Sequence, residues 1–392
     1  MMKIPYGTQY IDQTDIDAVI ETLKSPFMTQ GPKVKEFEEK VAAYHGCKYA
    51  VAYSNGTAAL HGAYAASGIK KGESFITSPI TFAASANAGL YVGAIPKFAD
   101  IDPLTYNLDP YKVKEKLTDD VRVVTPVSYA GYPVDLKLFR EIVGQDRIII
   151  HDAAHAIGAR FEGRDIVTYA DMTILSFHPV KHIAAGEGGM VLTNSKELYD
   201  KLDLFRSHGI TKDKLKLSKD EGPWYYEMVE LGYNYRLTDL QTALGISQLA
   251  KLNHSLFMRN KIAEKYTTEF KNVEWIQTPH PISDNKWLEN EQYNELSETP
   301  QFLHSYHLYS LQLSEDIDRR KFVEYMHEKG IMVQVHYIPV HLFPYYEKEY
   351  GFKAGDFPIA ENFYEHEVSI PMYPTLGEEN QDYIIKTIKE FK

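Results

Sequence analysis

The sequence predicts an α/β protein: a large layer on a mostly parallel central sheet, followed by a smaller C-terminal α+β part. Three observations predict it. Short apolar, β-branched runs alternate with helical spacings from about residue 49 to residue 193, the pattern of strands joined by helical crossovers. Polar motifs recur at the carboxyl ends of those runs, namely Asn55-Gly56-Thr57, Thr81-Phe82, Tyr129 and His151-Asp152-Ala153-Ala154-His155. That edge is where open α/β sheets take their ligands. From about Lys251 the alternation weakens, so the boundary is placed near residue 250, with a large part and N-terminal arm over 1–250 and a small part over 251–392.

In chain order, residues 1 to about 13 read as an extended arm. Ile16, Val19, Ile20 and Leu23 then have helical spacing, with Thr14 as the expected N-cap. Gly31-Pro32 interrupts, and Val34 to Tyr44 forms a second helix. Tyr49 to Tyr53 is a short strand followed by Ser54-Asn55-Gly56-Thr57-Ala58-Ala59-Leu60. A strand, a small polar turn and a helix start can cradle a phosphate through free N–H groups and the helix dipole, or can be a plain N-cap. No Gly-Lys-Ser/Thr follows, so it is not a Walker loop. Glu73 to Ser78 and Pro96 to Asp100 read as strands, with a helix ending near Tyr91 between them. Val121 to Val127 reads as a buried parallel strand, Leu136 to Val143 as a helix and Arg147 to Ile150 as the next strand.

Asp152 follows three isoleucines. A carboxylate there is partly buried and needs a partner. It either caps the following segment or holds a ring nitrogen protonated. His151 and His155 are four apart, but the first ends a strand and no third ligand is obvious, so a metal is not favoured. The most informative stretch runs from Asp171 through Ser176-Phe177-His178-Pro179-Val180-Lys181 to Gly186-Glu187-Gly188-Gly189-Met190. It places one lysine on a strand-to-strand connection with little charge nearby. Such a lysine is either a solvated loop residue or, if desolvated, a Schiff-base nucleophile, because only the neutral amine attacks a carbonyl.

Leu198 to Phe205 is a helix, and 211–222 is a lysine- and aspartate-rich stretch expected to be a mobile surface loop. Thr238 caps a helix carrying Leu240, Leu244, Ile246 and Leu249. Asn234 and Arg236, just before it, are loop polars or site residues. Beyond the boundary, Phe257 to Phe270 and Arg319 to Lys329 read as helices, His304 to Leu311 and Ile331 to Tyr337 as strands, and 279–300 as polar and irregular.

Composition excludes several classes. The net charge of −12 argues against a general nucleic-acid or acidic-membrane binder. No apolar run approaches the roughly 20 residues of a membrane span, and the start lacks the apolar core of a signal peptide. The single cysteine, Cys47, cannot form an internal disulfide, which fits a reducing, cytoplasmic setting.

Taken as a set and in order, Ser54 to Leu60, Thr81-Phe82, Asp152-Ala153-Ala154-His155-Ala156, Ser176 to Lys181 and Gly232-Tyr233-Asn234-Tyr235-Arg236-Leu237 resemble the DegT/DnrJ/EryC1 sugar aminotransferases, a group of fold-type I pyridoxal-phosphate enzymes. The likeness spans nearly the whole chain. Tyr129-Ala130-Gly131, Leu204 to Gly209 and Gln334 to Val340 resemble the branch that aminates C4 of a UDP-linked 4-keto-6-deoxy N-acetyl sugar from L-glutamate in pseudaminic acid synthesis. The resemblance implies roles. Lys181 would carry pyridoxal 5'-phosphate as a Schiff base and Asp152 would pair with its ring nitrogen. Phe82 would lie against the ring, and His155 near its hydroxyl. Gly56, Thr57 and Ser176 would hold the phosphate, with Asn234 from the neighbouring subunit of a homodimer. Arg236, His304, Tyr306, His336 and Tyr337 would contact substrate. Relatives that replace the lysine by histidine become sugar dehydratases. Here Lys181 keeps the aminotransferase spacing from Ser176, although His182 follows it. A regulatory or degenerate binding protein would need neither Lys181 nor Asp152.

Overall fold

The computed structural model describes residues 3–219, 221–280 and 300–392. Seven strands form the central sheet: β1 Tyr49–Tyr53, β2 Ser74–Thr77, β3 Ile95–Phe98, β4 Val121–Thr125, β5 Ile148–Asp152, β6 Met172–Ser176 and β7 Gly189–Thr193. Their spatial order is β1-β7-β6-β5-β4-β2-β3. From β3 to β6 every neighbouring pair is parallel. The 177–188 connection contains no helix, so β7 returns antiparallel to β6, and β1 pairs antiparallel with β7.

Successive strand residues feed opposite faces, as the pleat demands. Ile174 and Val191 pack under the helix Gly56–Ala66 with Phe75, Val123 and Ile150. Leu175, Met190 and Leu192 pack with Phe37 of the helix Pro32–His45 on the other face. Burial on both faces explains why these strands read as continuous apolar runs.

The smaller sheet is antiparallel: β8 Ile276–Gln277, β9 Tyr309–Leu313 and β10 Glu367–Ile370, in that order. Tyr266, Phe322 and Ile384, from the helices Leu252–Phe270, Arg319–Glu328 and Glu378–Lys389, close its core. The two parts interlock. Ile4 joins the small core and exchanges backbone hydrogen bonds with Gly330 and Met332, both at 2.8 Å. Val340, Tyr346, Phe357 and Phe363 instead join the large core beside Phe98 and Tyr106.

Local expectations are corrected at three places. The first helix is Gln13–Lys24, and Asp12, not Thr14, is its N-cap, in a capping box closed by Asp15. Its apolar face points outward, with Ile16 44%, Ile20 40% and Leu23 53% exposed. The polar side packs inward: Asp15 accepts a hydrogen bond from Gln248 at 2.9 Å and pairs with Lys251. The strand expected over His304 to Leu311 begins only at Tyr309. Tyr306 is left-handed (φ 43°), and the Ser305 and His307 N–H groups donate to Gly131 and Ala130 carbonyls. The strand expected over Ile331 to Tyr337 is reduced to isolated bridges, Ile331 to Ile4 and Gln334 to Ser369, because its backbone partners lie on two different segments. Of the stretch expected to be irregular, 281–299 lies outside the described residues. The 211–222 stretch begins on the short strand Ile210–Thr211, which pairs antiparallel with Glu227–Met228.

Candidate active site

The carboxyl ends of β1, β5 and β6 converge on one cavity of about 750 Å³, a size suited to a small-molecule ligand. Each wall follows from local sequence. At the end of β1, Asn55 accepts the Ala58 N–H at 2.8 Å and starts the helix Gly56–Ala66. The first-turn N–H groups of such a helix are unsatisfied by the helix itself and favour an anion. This turn can lie close to the sheet because β7 has glycine at 189: a Cβ there would meet Asn55 O at 2.4 Å. A Cβ on Gly56 would press on Ser176, 3.4 Å from its hydroxyl oxygen. Small residues, helix donors and a hydroxyl thus make a cradle that fits a phosphate.

At the end of β5, Asp152 is buried. Its Oδ2 accepts the Ser85 hydroxyl at 2.6 Å and its Oδ1 the Ala154 N–H at 3.1 Å. Desolvation raises its pKa, opposed by those hydrogen bonds and by the charge of Lys181. Ser85 is itself held by Thr81, hydroxyl to hydroxyl at 2.6 Å. A buried carboxylate with this support suits a cationic partner, such as a protonated ring nitrogen.

Between β6 and β7, Lys181 reaches the same cavity. Its Nζ lies 3.3 Å from His307 Nε2. Desolvation brings the ammonium down to about 7, opposed by Asp152 and reinforced by Arg259, a buried guanidinium hydrogen-bonded to carbonyls. A substantial fraction is therefore the neutral nucleophile near neutral pH. His155 packs against His307 with the rings tilted 41° and centroids 4.3 Å apart, and its Nε2 is 3.2 Å from the Tyr337 hydroxyl. Burial, then the charge of Lys181, pushes both imidazoles well below their ordinary value, so they are neutral. Among the described residues, the Nδ1 atoms of His155 and His307 have no hydrogen-bond partner in the chain.

Of the residues singled out in the sequence, Gly56, Thr57, Phe82, Asp152, His155, Ser176, Lys181, His336 and Tyr337 line this cavity together. Phe82 is 63% exposed on its rim. Four others are not on its wall. Asn234 is exposed, and Arg236 lines a separate groove with Gln30 and Arg206. His304 and Tyr306 are buried and stacked on one another at 3.8 Å, behind the wall. His151, four before His155, turns into the core, where Ser128 at 2.8 Å and the Ile166 carbonyl at 3.1 Å engage its two nitrogens.

The sequence did not point to Ser85 or His307. Ser85 follows Thr81 by four, and a serine at that spacing from a motif hydroxyl is the available signal. No strand rule finds His307, since the left-handed Tyr306 resets the alternation.

Comparisons with known proteins identify relatives over nearly the whole chain. Residues 9–389 match the DegT/DnrJ/EryC1/StrS aminotransferase family. A Campylobacter jejuni protein named UDP-4-amino-4,6-dideoxy-N-acetyl-beta-L-altrosamine transaminase is 38% identical over 391 residues, covering 98% of this chain and 96% of that one. The structure of Helicobacter pylori PseC, an aminotransferase of pseudaminic acid biosynthesis, superposes with a TM-score of 0.88 at 29% identity, covering 99% of this chain and 98% of that one. A Streptococcus pneumoniae chain described as a sugar aminotransferase, solved in its PLP form, gives 0.87 at 28% identity, covering 99% and 98%. The chain belongs to the DegT/DnrJ/EryC1/StrS aminotransferase family.

Proposed function

We propose that the protein uses pyridoxal 5'-phosphate to move an amino group from L-glutamate to C4 of a UDP-linked 4-keto-6-deoxy N-acetyl sugar, the amination step of pseudaminic acid synthesis. The observation that carries the reading is Lys181, an amine brought to about 7 by burial, in one cavity with the supported carboxylate of Asp152. The Campylobacter jejuni relative supports the choice of acceptor.

The bound cofactor supplies an electron sink for carbanion chemistry. Gly56, Thr57 and Ser176 bind its phosphate through the helix start and hydroxyls. Asp152, oriented by Ser85, keeps the ring nitrogen protonated. His155 would lie toward the ring hydroxyl and Phe82 toward one ring face. Lys181 anchors the cofactor at rest. Once displaced, its neutral amine would take the α-proton from glutamate; water would supply the keto oxygen of the departing 2-oxoglutarate, and the nitrogen would stay with the cofactor. In the second half, Lys181 would return a proton to C4 as the nitrogen held by the cofactor passes to the keto sugar and the ketone oxygen leaves as water. His336 and Tyr337 remain as sugar contacts on the cavity wall. His304 and Tyr306 lie behind it, so their contribution is through packing.

A homodimer completes the site in this reading. The exposed Ile16, Ile20 and Leu23 stripe, with Phe27 and Met28 about half exposed, is a face that a second copy would cover. Exposed Asn234 then serves the partner's phosphate, and Arg236 lies near the same interface. Among the described residues no helix is long and apolar enough to cross a membrane, and a cytoplasmic setting is part of the proposal.

The test is to load the protein with pyridoxal phosphate and follow two half-reactions separately. Glutamate should yield stoichiometric 2-oxoglutarate, and the UDP keto sugar should then yield its 4-amino product. No 2-oxoglutarate would sink the transaminase reading. Release of 2-oxoglutarate followed by amination only of a dTDP-linked keto sugar would overturn the acceptor.

A further inference from the structure

One wall of the cavity is backed by an acid that no step above uses. Glu367, at the start of β10, is fully buried, as is Ser369 two residues on. Glu367 Oε2 accepts the His336 backbone N–H at 2.7 Å. Its Oε1 lies 2.5 Å from the Ser369 hydroxyl, and that hydroxyl lies 2.9 Å from His336 Nδ1. The Tyr129 hydroxyl donates to the His336 carbonyl at 2.7 Å, pinning the same residue from the other side. His336 itself lines the cavity.

Proton accounting decides the direction of this chain. A serine hydroxyl has one proton. At 2.5 Å from a carboxylate that proton lies between the two oxygens, donated to Glu367. Ser369 can then only accept from His336, so Nδ1 carries the imidazole proton. A neutral ring has one N–H, and burial holds His336 down to about 4. Its Nε2 is left as a bare acceptor.

We infer that Glu367, acting through Ser369, is a positioning residue that fixes His336 with Nε2 as a hydrogen-bond acceptor toward the cavity, where it takes a hydrogen bond from a hydroxyl or amide N–H of the sugar acceptor. The recognition half rests on the acceptor reading proposed above, while the tautomer half stands on the protein alone.

Burial pushes the Glu367 carboxyl up to about 7, against the Ser369 and His336 hydrogen bonds. The other groups facing it are Ser310, Tyr129, Tyr106, Tyr337 and the Arg319 guanidinium. The measurement is therefore made above neutral pH, with Glu367 ionised. E367Q is the informative variant because it keeps the shape and reverses the chain. Its amide oxygen must face the His336 N–H, so its NH2 donates to Ser369, which then donates to Nδ1 and moves the ring proton to Nε2.

Nitrogen-15 histidine NMR on the full-length protein reads this directly. The wild type should show His336 as the Nδ1–H form, and E367Q should show Nε2–H. The rate of sugar amination should fall roughly tenfold, the scale of one hydrogen bond lost and a donor left facing a donor, and the loss should exceed that in the glutamate half-reaction. If E367Q does not fold, S369A serves: the fixed Nδ1–H signal should be lost and the sugar step should slow. A wild-type Nε2–H signal, or E367Q with His336 unchanged, overturns the relay. A switched tautomer with an unaffected sugar step overturns the recognition role. A wild type that aminates no keto sugar removes the acceptor reading and with it the recognition role, while the NMR result still decides the relay.

Discussion

Two largely buried cations, Lys181 and Arg206, meet opposite surroundings. Arg206 is embraced: its guanidinium donates to Glu38 at 2.5 Å and to the Ala52 carbonyl at 2.8 Å, and pairs with Asp203. Glu38 also accepts the Ala52 N–H at 2.8 Å, so the pair stitches the helix Pro32–His45 to β1. Despite desolvation, its carboxylate neighbours hold Arg206 above its ordinary value. Lys181 has a neutral imidazole, His307, in hydrogen-bond reach, and the charge of Asp152 only partly offsets desolvation. Burial thus serves two ends in one fold. With paired carboxylates a buried cation is a clamp, and without direct pairing it becomes a nucleophile near neutral pH.

Exchanging the two residues' fates tests this contrast. Lys181→Met should abolish transamination, by at least about 10³-fold given the loss of both anchor and general base, while the melting temperature holds or rises. A variant that melts early would make Lys181 a structural cation. Arg206→Met should do the reverse, stranding Glu38 and costing about 3–5 kcal/mol of stability. Denaturant unfolding measures it, and a loss under about 1 kcal/mol would mean the clamp is dispensable. Asp152→Asn should lower the glutamate half-reaction by about 10²-fold or more with far-UV circular dichroism unchanged. Full activity in that variant would remove Asp152 from its assigned role.

Smaller effects sharpen the contrast. Ser85→Ala removes one of two hydrogen bonds to Asp152, a loss of about 1–2 kcal/mol, and should slow the glutamate half-reaction about tenfold. An unaffected rate would show that Ala154 and the cofactor orient Asp152 without Ser85. Lys181 also leaves a stability signature in the cofactor-free protein. Its folded value is about 7 against 10.5 for an ordinary lysine, so between those values the unfolded chain binds more protons. Stability from this group therefore rises with pH across that window, and the rise should vanish in Lys181→Met. Arg206 should contribute no such slope.

The sequence carried the parts of this picture that depend on local pattern. Apolar runs buried on both faces exposed β4 to β6, and the helix-free connection around Lys181 followed from its glycines and spacing. Asp152 stood out as an acid at the end of three isoleucines. What depends on tertiary choice was hidden. The stripe of Ile16, Ile20 and Leu23 looks like a core face, yet Asp15 and its partners Gln248 and Lys251 turn the helix the other way. The left-handed Tyr306 breaks the strand expected there, and it is His307 that reaches Lys181, while His304, expected as a substrate contact, is not on the cavity wall. Glu38 and Arg206, 168 positions apart, carry no mutual signal in one sequence.

The most direct measurement is an NMR titration of the lysine side chains in the cofactor-free protein, with Lys181→Met identifying the signal. One lysine should titrate near 7, far from the ordinary 10.5, and be missing from the variant. If the Lys181 signal titrates with the surface lysines near 10.5, burial does not make it a nucleophile, and the contrast with Arg206 fails.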